Sequence, residues 1–147
     1  MEHKKIANNK LKIKKQLGKG GFGVLYNANT KKLKNKFAVK VEKITGARKQ
    51  LFNEYEVYRY LHTSPSIIYY AIPQVYYYGV EWDNNVLVTD LLGPSLKDLW
   101  EICGTKFSLK TTLMIAMELL KTIEFLHSMR LIHRDIKPPN MTIGYSE

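Results

Sequence analysis

The sequence predicts an α+β protein: a mostly antiparallel sheet with one inserted helix, then a run of helices, in two lobes with a hinge near Asp90 to Gly93. Three observations carry this. Residues 11 to 45 alternate β-branched and aromatic residues with polar ones, the period of half-buried strands. Residues 47 to 61 switch to helical spacing. After residue 92, capping signals replace the strand pattern.

The strands are expected at Lys12–Leu17, Val24–Ala28 and Phe37–Val41, with a glycine cluster breaking the first from the second. Leu51, Glu54, Tyr58 and Leu61 then fall on one face of a helix. Val75–Trp82 and Val86–Thr89 flank Asp83-Asn84-Asn85, which reads as a hairpin turn. The cluster Tyr76-Tyr77-Tyr78 reads as strand packing rather than a platform for nucleobases. Ser95 with Asp98 three residues on forms a capping box for a short helix ending at Gly104. Ser108 caps a long helix reaching Arg130, with Leu109, Leu113, Ala116, Leu120 and Ile123 on one side. The expected division is a basic N-terminal tail (1–10), a sheet domain (11–92) and the start of a helical domain (93–147).

Composition limits the function classes. At 45% hydrophobic and 24% charged, the 147 residues are ordinary globular material. No apolar run approaches membrane-spanning length, and Met1-Glu2-His3-Lys4-Lys5 lacks the apolar segment of a signal peptide. The single cysteine, Cys103, reads as a small buried hydrophobe in a reducing compartment, so the expected location is cytoplasmic or nuclear. The net charge of +10 is uneven. Residues 1–50 hold fifteen Lys and Arg against two acids, and the rest hold eight against eleven. The blocks Lys10–Lys15 and Lys31–Lys36 fit either the wet face of a strand or an anionic partner. Aromatic interleaving along them is sparse, so nucleic acid is not the expected partner.

Gly18-Lys-Gly-Gly-Phe-Gly23 fits G-x-G-x-x-G, a weak signal alone. A dinucleotide fold needs a helix directly after the last glycine, and Val24-Leu25-Tyr26 reads as strand. A Walker loop needs Gly-Lys-Ser/Thr, which is absent. The remaining phosphate-binding reading is a strand–turn–strand flap whose backbone N–H groups cover phosphates, with a plain glycine-rich turn as its alternative. Lys40 sits beside Ala38 on one face of its strand, and the small alanine leaves room for a flat ligand. Glu54 lies on an apolar helix stripe, where a carboxylate needs a cation, and Lys40 is the expected one. The string Leu131-Ile-His-Arg-Asp-Ile-Lys-Pro-Pro-Asn140 is the most specific in the chain. It offers Asp135 as a base, Lys137 as a cation and Asn140 as an oxygen ligand for magnesium, the parts needed to move a phosphoryl group to a hydroxyl. His133 reads as a packed structural histidine.

Together these residues resemble the protein kinase superfamily from about Leu17 to Ile143. Val86–Trp100, with Leu91-Leu-Gly-Pro-Ser-Leu96, and Lys106-Phe-Ser-Leu-Lys110 are similar to the casein kinase I family. The resemblance implies a bilobal fold, ATP with Mg2+, and transfer to Ser or Thr of protein substrates. It makes Gly18, Gly20 and Gly23 the flap, with Leu25 roofing the adenine. Lys40 would bind the α- and β-phosphates, Asp135 would be the base, Lys137 would contact the γ-phosphate and Asn140 a magnesium. Thr89 falls at the gatekeeper position, where the family usually has methionine, and Leu91 or Leu92 would offer backbone hydrogen bonds to adenine. Two departures stand out: Pro139 replaces the usual acidic or polar residue, and no Asp-Phe-Gly follows. The chain is accordingly expected to be a fragment or incomplete copy of a Ser/Thr kinase, or else an inactive relic that binds a nucleotide or partner.

Overall fold

The computed structural model describes residues 4–20, 23–30, 36–44, 50–66 and 72–144. The middle of the glycine motif, most of the 31–36 lysine block and the expected first turn of the inserted helix (47–49) lie outside these residues. The chain divides into two compact units, Met1–Thr63 with Pro73–Leu91, and Ser64–Ile72 with Leu92–Glu147.

The first unit is a six-stranded antiparallel sheet in the order β1-β2-β3-β4-β6-β5. Its strands are β1 (Lys5–Ile6), β2 (Leu11–Gly20), β3 (Gly23–Thr30), β4 (Lys36–Lys43), β5 (Val75–Glu81) and β6 (Asn84–Asp90). Helix α1 (Gln50–Leu61) is inserted between β4 and β5. Alternation sorts the side chains of β4 as the sequence requires. Phe37, Val39 and Val41 are buried with Tyr26, Ala28, Val86 and Val88 in one apolar cluster. The other face carries Ala38 and Lys40, and Leu51 and Leu61 of α1 are buried. All three tyrosines of β5 use their rings for packing: Tyr77 lies against the core cluster, Tyr76 packs edge-on to Phe37 at 5.0 Å, and Tyr78 stacks on Tyr55 of α1 at 4.7 Å.

Four expectations change here. Residues 4–10, read as part of a tail, contain β1, and Ile6 and Ala7 are buried in the core. The glycines do not break the sheet: Gly18 pairs with Leu25, Lys19 with Val24 and Gly20 with Gly23, so β2 runs through them. The β5–β6 turn is Trp82-Asp83, both at positive φ (48° and 59°), while Asn84 and Asn85 belong to β6. Two positive-φ residues make the tight hairpin geometry that matches strand twist. Lys4 Nζ lies 4.8 Å from the centre of the Trp82 ring, helping to hold this unusual turn residue. Finally, Cys103 is exposed at the end of the next helix rather than buried.

The second unit holds α2 (Leu96–Ile102), α3 (Leu109–Ser128) and a 3-10 turn at Pro138–Asn140. The capping box forms as expected: Ser95 Oγ accepts from the Asp98 N–H at 3.2 Å, and Asp98 Oδ2 accepts from the Ser95 N–H at 2.8 Å. Ser108 Oγ accepts from the Thr111 N–H at 3.1 Å and starts α3. Phe125 and Leu126 of α3 are buried, but Leu109, Leu113 and Leu120 are exposed. No helix among the described residues is long and apolar enough to cross a membrane.

Candidate active site

In the first unit, strand register gathers the expected nucleotide-facing residues. Leu25 pairs with Lys40, Lys40 with Leu87 and Ala38 with Thr89. Directly paired residues point to the same side of an antiparallel sheet, so Leu25, Ala38, Lys40 and Thr89 share one face. Leu25, Lys40 and Thr89 are half-buried, and Ala38 is buried. Leu87, which sequence reasoning did not single out, is buried among them. Its signal was the alternation Leu87-Val-Thr89, which places it beside the gatekeeper position.

Glu54 of α1 meets Lys40 as expected. The ammonium donates to Oε1 at 2.8 Å and to Oε2 at 2.7 Å. The two side chains keep 39% and 33% of their exposure, so the pair is screened and adds about 0–1 kcal/mol to stability. Its effect is to aim the ammonium. Glu54 also adds to burial in raising the Tyr58 hydroxyl well above the ordinary tyrosine range.

The glycines separate into two kinds. Gly23 sits at φ +135°, and a Cβ there would collide with the Val41 carbonyl, so the fold itself requires glycine. At Gly18 and Gly20 a Cβ would meet nothing within 4 Å among the described residues. The packing of the sheet sets no demand for glycine at those two positions. Leu91 and Leu92, the last residue of the first unit and the first of the second, are half-buried. Among the described residues, neither takes part in a backbone hydrogen bond.

In the second unit, Asp135, Lys137 and Asn140 converge. Asp135 Oδ1 lies 2.8 Å from Lys137 Nζ, and Oδ2 accepts from Asn140 Nδ2 at 2.7 Å. Asn140 Nδ2 also donates to the Asp135 carbonyl at 2.9 Å. The Lys137 and Asn140 hydrogen bonds hold the Asp135 carboxyl below the usual carboxylate range. Arg134 stands at φ 67°, a left-handed conformation costly for a non-glycine residue, and the chain turns sharply into Asp135 there. His133 is exposed, not packed; its Nδ1 accepts from the Asp135 N–H at 3.3 Å. Among the described residues no group of three or more His, Cys, Asp or Glu is placed to hold a metal.

The Gly93-Pro94-Ser95 segment secures the exit of this loop. Gly93 N–H donates to the Ile143 carbonyl at 2.9 Å, Leu96 N–H to Met141 at 2.7 Å, and Ile143 N–H to Pro94 at 3.2 Å. A Cβ on Gly93 would come within 2.9 Å of Ile143 Cγ1 and 3.1 Å of the Gly144 carbonyl. Pro138 and Pro139 line an apolar hollow of about 490 Å³ with Leu96, Trp100, Phe107 and Ile115. Both prolines are themselves exposed at the rim of this hollow.

The protein kinase domain family matches residues 11–147, and the chain belongs to the protein kinase family. Within that family its likeness is to casein kinase I. It is 44% identical over 133 residues to casein kinase I homolog 1 of Saccharomyces cerevisiae (strain ATCC 204508 / S288c), an alignment covering 90% of this chain and 24% of that protein. The chain spans about a quarter of the length of this curated relative.

Proposed function

We propose that this chain carries the nucleotide-binding and catalytic-loop portion of a serine/threonine protein kinase, which moves the γ-phosphoryl group of ATP to a protein hydroxyl. The observation that carries the reading is the Asp135 carboxylate bracketed by Lys137 and Asn140. The donor chemistry suits Mg2+ with ATP. Ala38 and Leu25 offer apolar contact for a flat base, and Lys40 offers a fixed ammonium for phosphate oxygens. Glycine at 18 and 20, which the sheet does not need, lets phosphates approach the backbone. Asn140 spends its amide nitrogen on Asp135, and among the described residues its Oδ1 accepts no hydrogen bond. A free amide oxygen is a hard ligand of the kind magnesium takes, and the ion, when bound, neutralises phosphate charge.

Asp135 is held ionised, so it orients the substrate hydroxyl and accepts its proton. As it does so, the hydroxyl oxygen bonds to the γ-phosphorus and the bond to the departing ADP oxygen breaks. Lys137 balances the charge on the transferred group, and Lys40 holds the α- and β-phosphates. The test measures transfer from γ-labelled ATP to a Ser/Thr-containing protein, with this chain in its complete kinase domain. Asp135→Asn should lower kcat by about 10²–10⁴-fold with little change in the KM for ATP, and Lys40→Met should abolish turnover. Asp135→Asn transferring at the wild-type rate refutes the assignment.

A further inference from the structure

The Lys40–Glu54 pair forms only if α1 lies at one register against the sheet, and a second set of contacts fixes that register. Glu42 lies two residues beyond Lys40 on β4, so both face α1. Its Oε2 accepts from the Leu51 N–H at 3.4 Å and from Asn85 Nδ2 at 3.2 Å. Leu51 is in the first described turn of α1, and among the described residues its N–H has no partner within the helix. The first turn carries no acidic residue of its own, so a carboxylate from the sheet answers the positive end of the helix. At 3.4 Å the contact is long, and its weight is electrostatic.

Asn85 extends the link. Its Nδ2 serves Glu42 while its Oδ1 accepts from the Tyr78 hydroxyl at 3.3 Å. Tyr78 in turn stacks on Tyr55 of α1, with centroids 4.7 Å apart and planes 11° from parallel, and leans on Phe52 at 5.8 Å. Besides Lys40, therefore, Glu42 of β4, Asn85 of β6 and Tyr78 of β5 each reach α1 or its anchor. Leu51 and Glu54 are three residues apart, so a helix held at Leu51 presents Glu54 on the same face, one turn along.

We infer that Glu42, supported by Asn85 and Tyr78, is a positioning residue that holds α1 at the register where Glu54 meets Lys40. It touches no reacting atom. It sets how often the ammonium is held, and hence how often it is aimed. The kinase reading enters only in what the aimed ammonium does; the geometry stands without it.

The test reads the ion pair directly. The 147-residue chain is treated with acetic anhydride, and acylation of each lysine is followed by mass spectrometry. Lys40 reacts only when released from Glu54, and Glu54→Gln defines the released rate. Glu42→Ala should speed Lys40 acylation by about fivefold, the factor expected when a capping carboxylate is lost from a two-state equilibrium. Lys12 and Lys15 on β2 should not change, which separates a moved helix from an unfolded chain. Glu42→Gln keeps an oxygen for the Leu51 N–H but loses the charge, and should leave the Lys40 rate between those of wild type and Glu42→Ala. Should Glu42→Ala fail to melt cooperatively, Tyr78→Phe removes only the hydroxyl link and should speed Lys40 in the same direction by a smaller factor. Wild-type Lys40 acylation in a folded Glu42→Ala chain overturns the proposal, as does an unchanged rate in Tyr78→Phe when that variant is the one read. No nucleotide is present in this experiment. A Lys40 that responds to Glu42 in a chain whose complete kinase domain transfers no phosphate would uphold this inference and sink the kinase reading.

Discussion

In the proposed reaction the chemistry turns on Asp135, and its surroundings favour its charged form. Lys137 and then Asn140 lower its pKa in the folded chain. A group with a lowered folded pKa keeps its charge, and the stability that charge contributes, above its unfolded value; both are lost only as pH falls through the lowered one. Asp135 is thus a carboxylate throughout the neutral range, and the acid limb of a pH–rate profile should lie below the ordinary aspartate range. Lys137→Ala removes the largest cause, so the acid limb should move upward, measured as kcat/KM against pH in the complete kinase domain. A limb that stays in place would show that Lys137 does not set the ionisation of the base. Thr89 supports a separate expectation. It pairs with Ala38 on the face proposed to receive the nucleotide, and methionine there would fill space that threonine leaves open. Bulky ATP-site inhibitors should bind the wild type more tightly than Thr89→Met, by about 10-fold or more for compounds that need the extra volume. Equal affinity for every such compound would remove Thr89 from the pocket wall.

Among the elements, the caps were legible in the sequence because they are local. Ser95 and Asp98 satisfy each other within one turn, and the box needs nothing from the rest of the chain. Ser95→Ala should lower stability by about 1 kcal/mol, read as a lower melting midpoint at neutral pH. The Ser95 hydroxyl and backbone N–H lower the Asp98 pKa, so this capping contribution persists above the unfolded pKa and fades as pH falls through the folded one. The midpoint difference between wild type and Ser95→Ala should therefore shrink in acid. Lys40–Glu54 was legible for a different reason: a carboxylate on an apolar stripe demands a partner, and one lysine lay on the right strand. Other elements could not be read. β1 is two residues long, too short to show alternation, and is held by pairing with β2. The Trp82-Asp83 turn runs against the preference of tryptophan for negative φ, and sheet register overrides that preference. The role of Glu42 depends on its pairing with Asn85 across strands, a relation no linear spacing reveals. Gly93 was noticed as part of a motif, but its physical reason is the approach of Ile143. Gly93→Ala should cost about 1–3 kcal/mol by forcing the Gly93 and Ile143 segments apart, seen as a depressed midpoint.

At the scale of the whole molecule, two opposing tendencies decide how the chain behaves in solution. Leu109, Leu113, Met117 and Leu120 recur along α3 at helical spacing and are 74%, 55%, 59% and 65% exposed. A contiguous stripe of this kind favours association, since covering each side chain fully gains about 1.5–3 kcal/mol. Against it stands the net charge of +10, concentrated in the first fifty residues, which makes copies of the chain repel one another. Repulsion between exposed charges is screened over roughly 10 Å at 0.1 M salt and about 3 Å at 1 M, whereas apolar attraction is not weakened by salt. Attraction should therefore win as ionic strength rises. Sedimentation of the 147-residue chain should show growing self-association between low and high salt. Leu113→Lys with Leu120→Lys, both on the exposed stripe, should return it to monomer. A chain that remains monomeric at every salt concentration would show that α3 exposes no cohesive surface. Association that persists unchanged in the double variant would place the contact elsewhere.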